Sequence, residues 1–210
     1  MTASPPPSVA LIVLAAGRSS RMQGRHKLLE EINGLPMVRH SAATALASGL
    51  GPVTVVTGFQ ADAVCTALHG LPLTVIHAPD YSDGLSASLR AGLRGCLPDC
   101  AGAMILLADM PEVTAETLRA LYDGWRQGPP PAIAVTARNG QRGNPVLWDR
   151  AYFEDLCAVT GDTGGREVLQ RHRAHVRMVE STGNAIFTDI DTPEDLAALR
   201  ARLAAGKHGD

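Results

Sequence analysis

The chain has 210 residues, of which 45% are hydrophobic, 19% are charged and 4% are aromatic, and its formal net charge is −2. At this length, folding buries roughly 70% of the unfolded surface, so the fold needs no disulfide or metal to hold it together. The near-neutral charge and the low aromatic content argue against a nucleic-acid partner. Any site for an anionic ligand is therefore expected to be local.

The cysteines and the N-terminal residues indicate the compartment. The cysteines are Cys65, Cys96, Cys100 and Cys157, and they form no C-x-x-C pair, which favours reduced thiols in a cytosolic enzyme. The first eight residues, MTASPPPS, lack the charged and apolar regions of a signal peptide. No apolar run reaches the roughly 18 residues of a membrane span. The sequence predicts a cytoplasmic protein that has no membrane partner.

The first half of the chain predicts alternating strands and helices. The predicted strands are Val9–Ala15, Val53–Thr57, Leu73–His77 and Ala103–Ala108, and the predicted helices run from Pro36 to Gly49, Ala61–His69, Gly84–Arg94 and from Thr114 to about Gln127. Repeated strand-then-helix units with apolar strands indicate an α/β protein with a mostly parallel sheet. Ligands of such sheets bind at the carboxyl ends of the strands, so the loops after the first, third and fourth strands should share one edge.

The pattern changes after Gly128. The sequence there predicts strands at Ala132–Ala137 and Pro145–Trp148 joined by a polar loop at 138–144, a helix, a glycine-rich loop at 160–165, a helix to about His172, strands near Val176–Val179 and Ile186–Ile190, and a helix that begins at Thr192-Pro193 and runs to about Leu203. There are no internal repeats. We expect one domain over residues 1–210, with flexible tails at 1–8 and 205–210.

The loop after the first strand is rich in positive charge. Arg18, Arg21, Arg25 and Lys27 lie within ten residues of Gly17. A loop between a strand and the next element exposes backbone N–H groups that can bind an anion, and arginine and lysine add the charge that a polyphosphate requires. The loop matches neither the P-loop nor the dinucleotide-binding pattern. From the residues alone, a solvated basic loop stays open as an alternative.

The same stretch carries a family resemblance. Residues 14–27, LAAGRSSRMQGRHK, resemble the signature of MobA-like nucleotidyltransferases, and within them of the molybdenum cofactor cytidylyltransferases, although Gln23 stands where members often have glycine. The resemblance extends from Leu11 to about Leu203 and implies a Rossmann-like, three-layer α/β/α nucleotidyltransferase fold. In that family this loop wraps the nucleotide triphosphate, and the residues matching Arg21 and Lys27 contact phosphates. The loop residues implied to bind nucleotide are Leu14, Ala15, Ala16, Gly17, Arg18, Ser19, Ser20, Arg21 and Lys27.

Two acidic segments resemble the family's metal-binding motifs. LADMP places Asp109 directly after the fourth strand, and DIDTP contains Asp189 and Asp191. The resemblance implies that Asp109 and Asp191 bind Mg²⁺, which prefers oxygen ligands, and that Asp109 acts in catalysis with Arg21 and Lys27. The alternatives are a turn cap for Asp109 and an interaction of the other acids with the N-terminus of the last helix.

A segment after the third strand, APDYSDGLSASL, resembles the family's segment beside the nucleotide base, with Ala78 and Tyr81 in place of asparagine and tryptophan. The resemblance implies nucleotide-binding roles for Pro79, Gly84, Ser86 and Ser88. Ordinary capping of a helix is the alternative.

The second half contains two segments that resemble the acceptor side of the family's site. RGNP supplies Arg142, Gly143 and Asn144, and GDTGGR supplies Asp162. These four residues are the implied acceptor-binding residues. The alternative for the glycines is a role in forming turns.

The resemblance implies transfer of CMP from CTP·Mg²⁺ to the phosphate of Mo-molybdopterin, with release of pyrophosphate. The Ala16 methyl group suits a pyrimidine pocket, and a molybdenum hydroxylase apoenzyme is an expected recipient of the product. Three alternatives remain: a related transferase acting on a sugar phosphate, phosphoalcohol or phospholactate, a non-catalytic nucleotide-binding chaperone or sensor, and a nucleotide-sugar glycosyltransferase.

Overall fold

A computed structural model of the protein describes residues 8–206, with the exception of residues 20, 23, 97–99 and 131. The predictions for Ser20 and Gln23 and for the tails at 1–7 and 207–210 lie outside the described residues. Among the residues that are described, no helix has the length and apolar character needed to cross a membrane.

The strands alternate with helices along most of the described chain. The strands are β1 (Val9–Ala15), β2 (Glu31–Ile32), β3 (Leu35–Pro36), β4 (Val53–Thr57), β5 (Thr74–His77), β6 (Gly102–Leu107), β7 (Ile133–Arg138), β8 (Gln141–Asp149) and β9 (Val176–Glu180). The helices are α1 (Met37–Ser48), α2 (Ala61–Ala67), α3 (Leu85–Arg94), α4 (Ala115–Arg126), α5 (Phe153–Ala158), α6 (Arg166–Arg171) and α7 (Pro193–Gly206).

The described residues form a seven-stranded sheet with the strand order β5-β4-β1-β6-β8-β7-β9. Strand β8 runs antiparallel to its neighbours β6 and β7, and the remaining neighbouring strands are parallel. All seven residues of β1 are buried, as expected for a strand in a sheet that is covered on both faces. The prediction of a mostly parallel sheet is confirmed. The carboxyl ends of β1, β4, β5 and β6 therefore lie at one edge.

Helices cover both faces of the sheet. Because side chains alternate along a strand, each strand packs against both helix layers. Leu11 and Val13 of β1 pack with residues of α1, α2, α4 and α7, whereas Ile12 and Leu14 pack with residues of α3, α5 and α6. This arrangement gives the three layers that the sequence predicted.

The predicted polar loop at 138–144 is wrong in its extent. Strand β7 runs through Arg138 and β8 begins at Gln141, so Asn139 and Gly140 form a two-residue turn, with φ of 51° and 78°. Asn-Gly is favoured in such hairpins because both residues tolerate positive φ. Arg142, Gly143 and Asn144 therefore lie on a strand. A second Asn-Gly turn, at residues 33–34, joins β2 and β3, which the sequence analysis missed.

The predicted strand near Ile186–Ile190 is also wrong. Residues Ala185–Phe187 form a short 3-10 turn, and the chain beyond it is irregular up to α7. The side chains of Ile186 and Ile190 are both buried in the core, so the apolar pattern that predicted a strand reflects burial alone. The backbone N–H of Ile190 donates a hydrogen bond to the carbonyl of Asp109, 2.9 Å away, and this bond joins the segment before α7 to the loop after β6.

Candidate active site

A cleft of about 440 Å³ opens at the carboxyl ends of β1 and β6. Its walls come from the loop after β1, the start of α3, the end of β6 and two segments from the second half of the chain. The residues lining it are Leu14, Ala16, Gly17, Arg18, Ser19, Arg21, Lys27, Leu28, Tyr81, Ser82, Gly84, Leu85, Ser88, Leu107, Asp109, Asp162 and Asp191.

Lys27 is the centre of a charged cluster in this cleft. Its Nζ donates hydrogen bonds to Asp109 Oδ2 at 2.6 Å and to Asp191 Oδ1 at 2.7 Å. Arg21 Nη1 lies 2.7 Å from Asp191 Oδ2. Burial by itself lowers the pKa of Lys27, but the charge and hydrogen bond of Asp109, together with those of Asp191, outweigh burial and raise that pKa. Lys27 is therefore a charged ammonium group at neutral pH, and together with Arg21 it balances the charge of the two carboxylates.

Local contacts hold Lys27 in place. Ser19 has a positive φ of 54°, and its Oγ accepts a hydrogen bond from the backbone N–H of Lys27 at 3.1 Å. The carbonyl of Ser19 accepts a hydrogen bond from Met22, whose side chain is fully buried. His26 stacks on Phe59 with 5.5 Å between the ring centroids. The basic loop is thus anchored at both ends, and the Lys27 side chain projects from a fixed backbone.

Asp109 and Asp191 come together through backbone contacts. The hydrogen bond between Ile190 and Asp109 places the two segments side by side. The Asp195 carboxylate then accepts hydrogen bonds from the backbone N–H groups of Asp191 and Thr192, at 3.2 and 2.9 Å, while the Thr192 hydroxyl accepts one from Asp195. This reciprocal cap begins α7 and fixes the backbone of Asp191.

One atom of the cluster lacks a partner. Asp109 Oδ1 is buried, and within the described residues it has no hydrogen-bond partner. A buried carboxylate oxygen without a partner is costly, and it suits a divalent cation that takes oxygen ligands. Two carboxylates from distant segments, with further oxygens from nucleotide phosphates, fit the way Mg²⁺ is bound in phosphoryl-transfer sites. The donor set therefore fits the metal that the sequence implies.

Tyr81 forms one wall of the cleft near Ala16. The Arg18 guanidinium lies 5.4 Å from the centroid of the Tyr81 ring. A Cβ atom on Gly58 would lie 2.6 Å from Tyr81 and 2.8 Å from the Ala16 methyl carbon, so residue 58 must be glycine for these two side chains to pack as they do. The sequence predicts no role for Tyr81, although its position in the base-side segment is a signal for one.

The glycine-rich loop at 160–165 contacts the start of α3. Asp162 Oδ1 accepts a hydrogen bond from the backbone N–H of Leu85 at 3.0 Å, and the carbonyl of Gly161 accepts one from Ser86. Gly84 has a φ of 102°, and a Cβ there would lie 2.6 Å from Asp162 Oδ1. Asp162 thus has a capping contact with α3 as well as a place in the cleft wall.

Most of the sequence-predicted nucleotide-binding residues line the cleft, but three described residues do not. Ala15 is on the opposite face of β1 from Leu14, because side chains alternate along a strand. Pro79 is exposed outside the cleft. Ser86 is 1% exposed, and its hydroxyl has no partner in the described residues. The side chains of these three residues do not line the cleft, and their role in nucleotide binding stays a prediction.

The predicted acceptor residues divide between two places. Asp162 lines the cleft, whereas Arg142, Gly143 and Asn144 line a neighbouring cavity of about 510 Å³. A third cavity, of about 230 Å³, contains both Asp162 and Asn144 in its walls and lies between the other two.

Comparison with known proteins identifies related chains. A family profile described as "MobA-like NTP transferase domain" matches residues 11–176. "Purine catabolism protein PucB" of Bacillus subtilis (strain 168) is 30% identical over 207 residues, covering 92% of this chain and 96% of its own length. "Nicotine blue oxidoreductase" of Paenarthrobacter nicotinovorans is 27% identical over 203 residues, covering 92% and 97%.

Solved structures also match nearly the whole chain. The Mycobacterium tuberculosis Rv0371c homologue from Mycobacterium sp. strain JC1 has a TM-score of 0.84 at 28% identity, covering 94% of this chain and 97% of that one. Rv0371c of M. tuberculosis H37Rv in complex with manganese has a TM-score of 0.77 at 25% identity, covering 92% and 98%.

Proposed function

Because the chain belongs to the MobA-like NTP transferase family and is a nucleotidyltransferase, we propose that it transfers CMP from CTP to the phosphate of Mo-molybdopterin and releases pyrophosphate. The observation that carries this proposal is the cluster in which Lys27 and Arg21 meet Asp109 and Asp191. Cationic groups for a triphosphate and oxygen ligands for a divalent metal lie in one cleft, where the reaction needs both.

The proposed reaction requires little covalent chemistry from the protein side chains. A phosphomonoester acceptor is already ionised at neutral pH, so no general base is needed, and alignment and charge stabilisation supply the rate enhancement. Arg21 and Lys27 bind the β- and γ-phosphates and stabilise the charge that develops on the leaving pyrophosphate. To do so, both side chains would move away from the carboxylates that they contact.

Asp109 and Asp191 are the residues that would hold Mg²⁺. When bound there, Mg²⁺ supplies Lewis-acid stabilisation of charge on the transferred phosphate. The unpartnered Asp109 Oδ1 supports this assignment, since it is a buried ligand atom without any other use in the described chain. The manganese complex of Rv0371c supports a divalent metal for the family's fold, without specifying magnesium for this chain.

The preference for cytosine rests on the packing around Ala16. Its methyl group and the Tyr81 ring both pack against Gly58, and both residues line the cleft beside the loop after β1. A smaller pocket favours a pyrimidine over a purine. A single methyl group gives only about 10–200-fold discrimination, so the preference for CTP should be measurable but not absolute.

The proposal is tested by following the transferred phosphate. The purified protein is incubated with Mg²⁺, each of four NTPs labelled at the α-phosphate and either Mo-molybdopterin or glucosamine 1-phosphate, and the products are separated and identified by mass. We expect label from CTP in a dinucleotide product, with less from the other NTPs. Label that appears only in free CMP, or that moves equally well to glucosamine 1-phosphate, would overturn the assigned acceptor.

We also propose that the product passes to a molybdenum hydroxylase apoenzyme in the cytoplasm. The dinucleotide cofactor is useful only after insertion, and direct transfer would protect it. Co-purification of the tagged protein with a molybdenum hydroxylase is expected, and its absence from a cross-linked pull-down would contradict the transfer step.

A further inference from the structure

Three arginines line the cavity next to the cleft. Arg142 of β8, Arg166 of α6 and Arg173 border the cavity of about 510 Å³, and no aspartate or glutamate is among the described residues that line it. Within the described chain, none of these three side chains has a hydrogen bond or an ion pair. The cavity, here called the arginine cavity, therefore has a positive charge that no ion pair among the described residues neutralises.

The arginine cavity connects to the nucleotide cleft. The intervening cavity shares Leu14, Leu85, Leu107 and Asp162 with the cleft. It shares Asn144, Val146, Arg166 and Leu169 with the arginine cavity. The three spaces are therefore parts of one continuous trough that begins at the charged cluster and ends at the three arginines.

The middle of the trough is largely apolar. Beyond the shared leucines, it is lined by Leu89, Ile105 and Trp148. An apolar passage between two charged ends favours a ligand that has an apolar middle and a charged group at each end. A short, neutral sugar attached to a phosphate would leave both the apolar walls and the arginines without a contact.

We propose that the arginine cavity binds a second anionic group of the acceptor, at the far end from the phosphate that receives CMP. Guanidinium groups bind carboxylate, phosphate and other oxyanions through paired hydrogen bonds, and three of them around one cavity form a site for such a group. The proposal rests on the proposed function, because it takes the acceptor phosphate to lie beside Asp109 and Asp191. It assigns Arg166 and Arg173 to substrate binding and defines the acceptor as a phosphomonoester with an apolar middle and an anionic far end.

The test uses a matched series of small ligands. The probes are ω-carboxyalkyl phosphates of increasing chain length, each paired with the ω-hydroxyalkyl phosphate of the same length. Their dissociation constants are measured by calorimetry with the nucleotide site saturated by Mg²⁺ and a non-hydrolysable CTP analogue. The proteins are the wild type, the double variant Arg166→Gln/Arg173→Gln, and Arg94→Gln as a control for loss of an exposed arginine outside the trough.

In the wild type and in Arg94→Gln, we expect the carboxylate to strengthen binding about tenfold over the hydroxyl at one optimal chain length, as for a charged hydrogen bond. In the double variant this ratio should fall to about one, while the affinity for the CTP analogue is unchanged. A ratio of one at every length in the wild type would overturn the proposal, as would a preference that survives in the double variant. Because binding is measured without turnover, failure of CMP transfer to Mo-molybdopterin would overturn the proposed function and leave this result standing.

Discussion

At the residue scale, Lys27 occupies the place between Asp109 and Asp191 where we propose that a divalent cation binds. The lysine is 8% exposed and bonds both carboxylates, so a metal that enters without nucleotide must displace a buried ion pair. A triphosphate offers the ammonium group other anionic partners. Metal and nucleotide binding should therefore support each other.

Replacing Lys27 should make metal binding independent of nucleotide binding. In Lys27→Met we expect Mg²⁺ or Mn²⁺ alone to bind about tenfold more tightly than in the wild type, because no cation competes for the carboxylates. The measurement is the rise in Tm on addition of metal in the absence of nucleotide, which reports the affinity of the folded state. Arg25→Met is the matched control, since Arg25 is in the same loop and pairs with Glu30 at 3.6 Å. Equal or weaker metal binding in Lys27→Met would contradict the competition.

His26 makes the fold sensitive to acid. Burial lowers the pKa of His26 below its ordinary 6.5, despite an opposing contribution from the backbone of Phe59. Nε2 donates to the carbonyl of Phe59 at 3.1 Å, so Nδ1 is the unprotonated nitrogen, and it is buried without a partner in the described residues. Protonation at Nδ1 would create a buried donor with no acceptor.

The sign of the pH effect follows from this lowered pKa. The unfolded chain binds a proton near pH 6.5 that the folded chain does not bind, so the free energy of unfolding is highest above pH 6.5 and falls as the pH drops through the lowered folded-state pKa. Urea denaturation between pH 7.5 and 5 should show a steeper loss in the wild type than in His26→Gln, which keeps a donor for Phe59. Identical slopes in the two proteins would contradict this role for His26.

At the element scale, the loop at 160–165 and helix α3 depend on each other through Asp162. The carboxylate accepts from the first N–H of α3, although Asp162 lies 77 residues further along the chain. The sequence predicted both segments and the start of the helix, but it could not predict this pairing, because nothing local to either segment specifies the other.

Removing this cap should destabilise the protein by a modest amount. Asp162→Ala should lower the free energy of unfolding by about 1 kcal/mol, as expected for loss of a helix cap, and should weaken acceptor binding because the loop loses its anchor on α3. Asp162→Asn keeps an accepting oxygen and should retain most of the stability. Chemical denaturation checks both values, and equal stability of Asp162→Ala and the wild type would contradict the capping role.

The irregular segment before α7 shows why one element was predicted wrongly. Ile186 and Ile190 have the alternating apolar pattern of a strand, but each fills the core from a non-repetitive backbone. By contrast, β1 and β4 were predicted at their observed limits, because short apolar runs between glycine- or proline-containing turns have few other solutions in a parallel sheet.

At the scale of the whole molecule, the sheet order decides where the site lies. Strands β1 and β6 are neighbours although 86 residues lie between the end of β1 at Ala15 and the start of β6 at Gly102, so the basic loop and Asp109 lie at the same edge. The segment containing Asp191 then returns to this edge through the bond between Ile190 and Asp109. The motifs indicated the chemistry of these residues, whereas their convergence on Lys27 and the trough leading to the three arginines required the fold.

We propose that Asp109 and Asp191 act together in metal-dependent transfer of CMP. The measurement is the rate of pyrophosphate release from CTP with Mg²⁺ and Mo-molybdopterin, in Asp109→Asn, Asp191→Asn and Asp189→Asn, with folding verified by thermal melting. Asp189 is an exposed neighbour that does not line the cleft, so its replacement is the matched control. We expect the rate to fall about a hundredfold or more in the first two variants, which is the size expected when metal stabilisation of the reacting phosphate is removed, and to stay normal in Asp189→Asn. A normal rate in Asp109→Asn or Asp191→Asn would contradict this proposal.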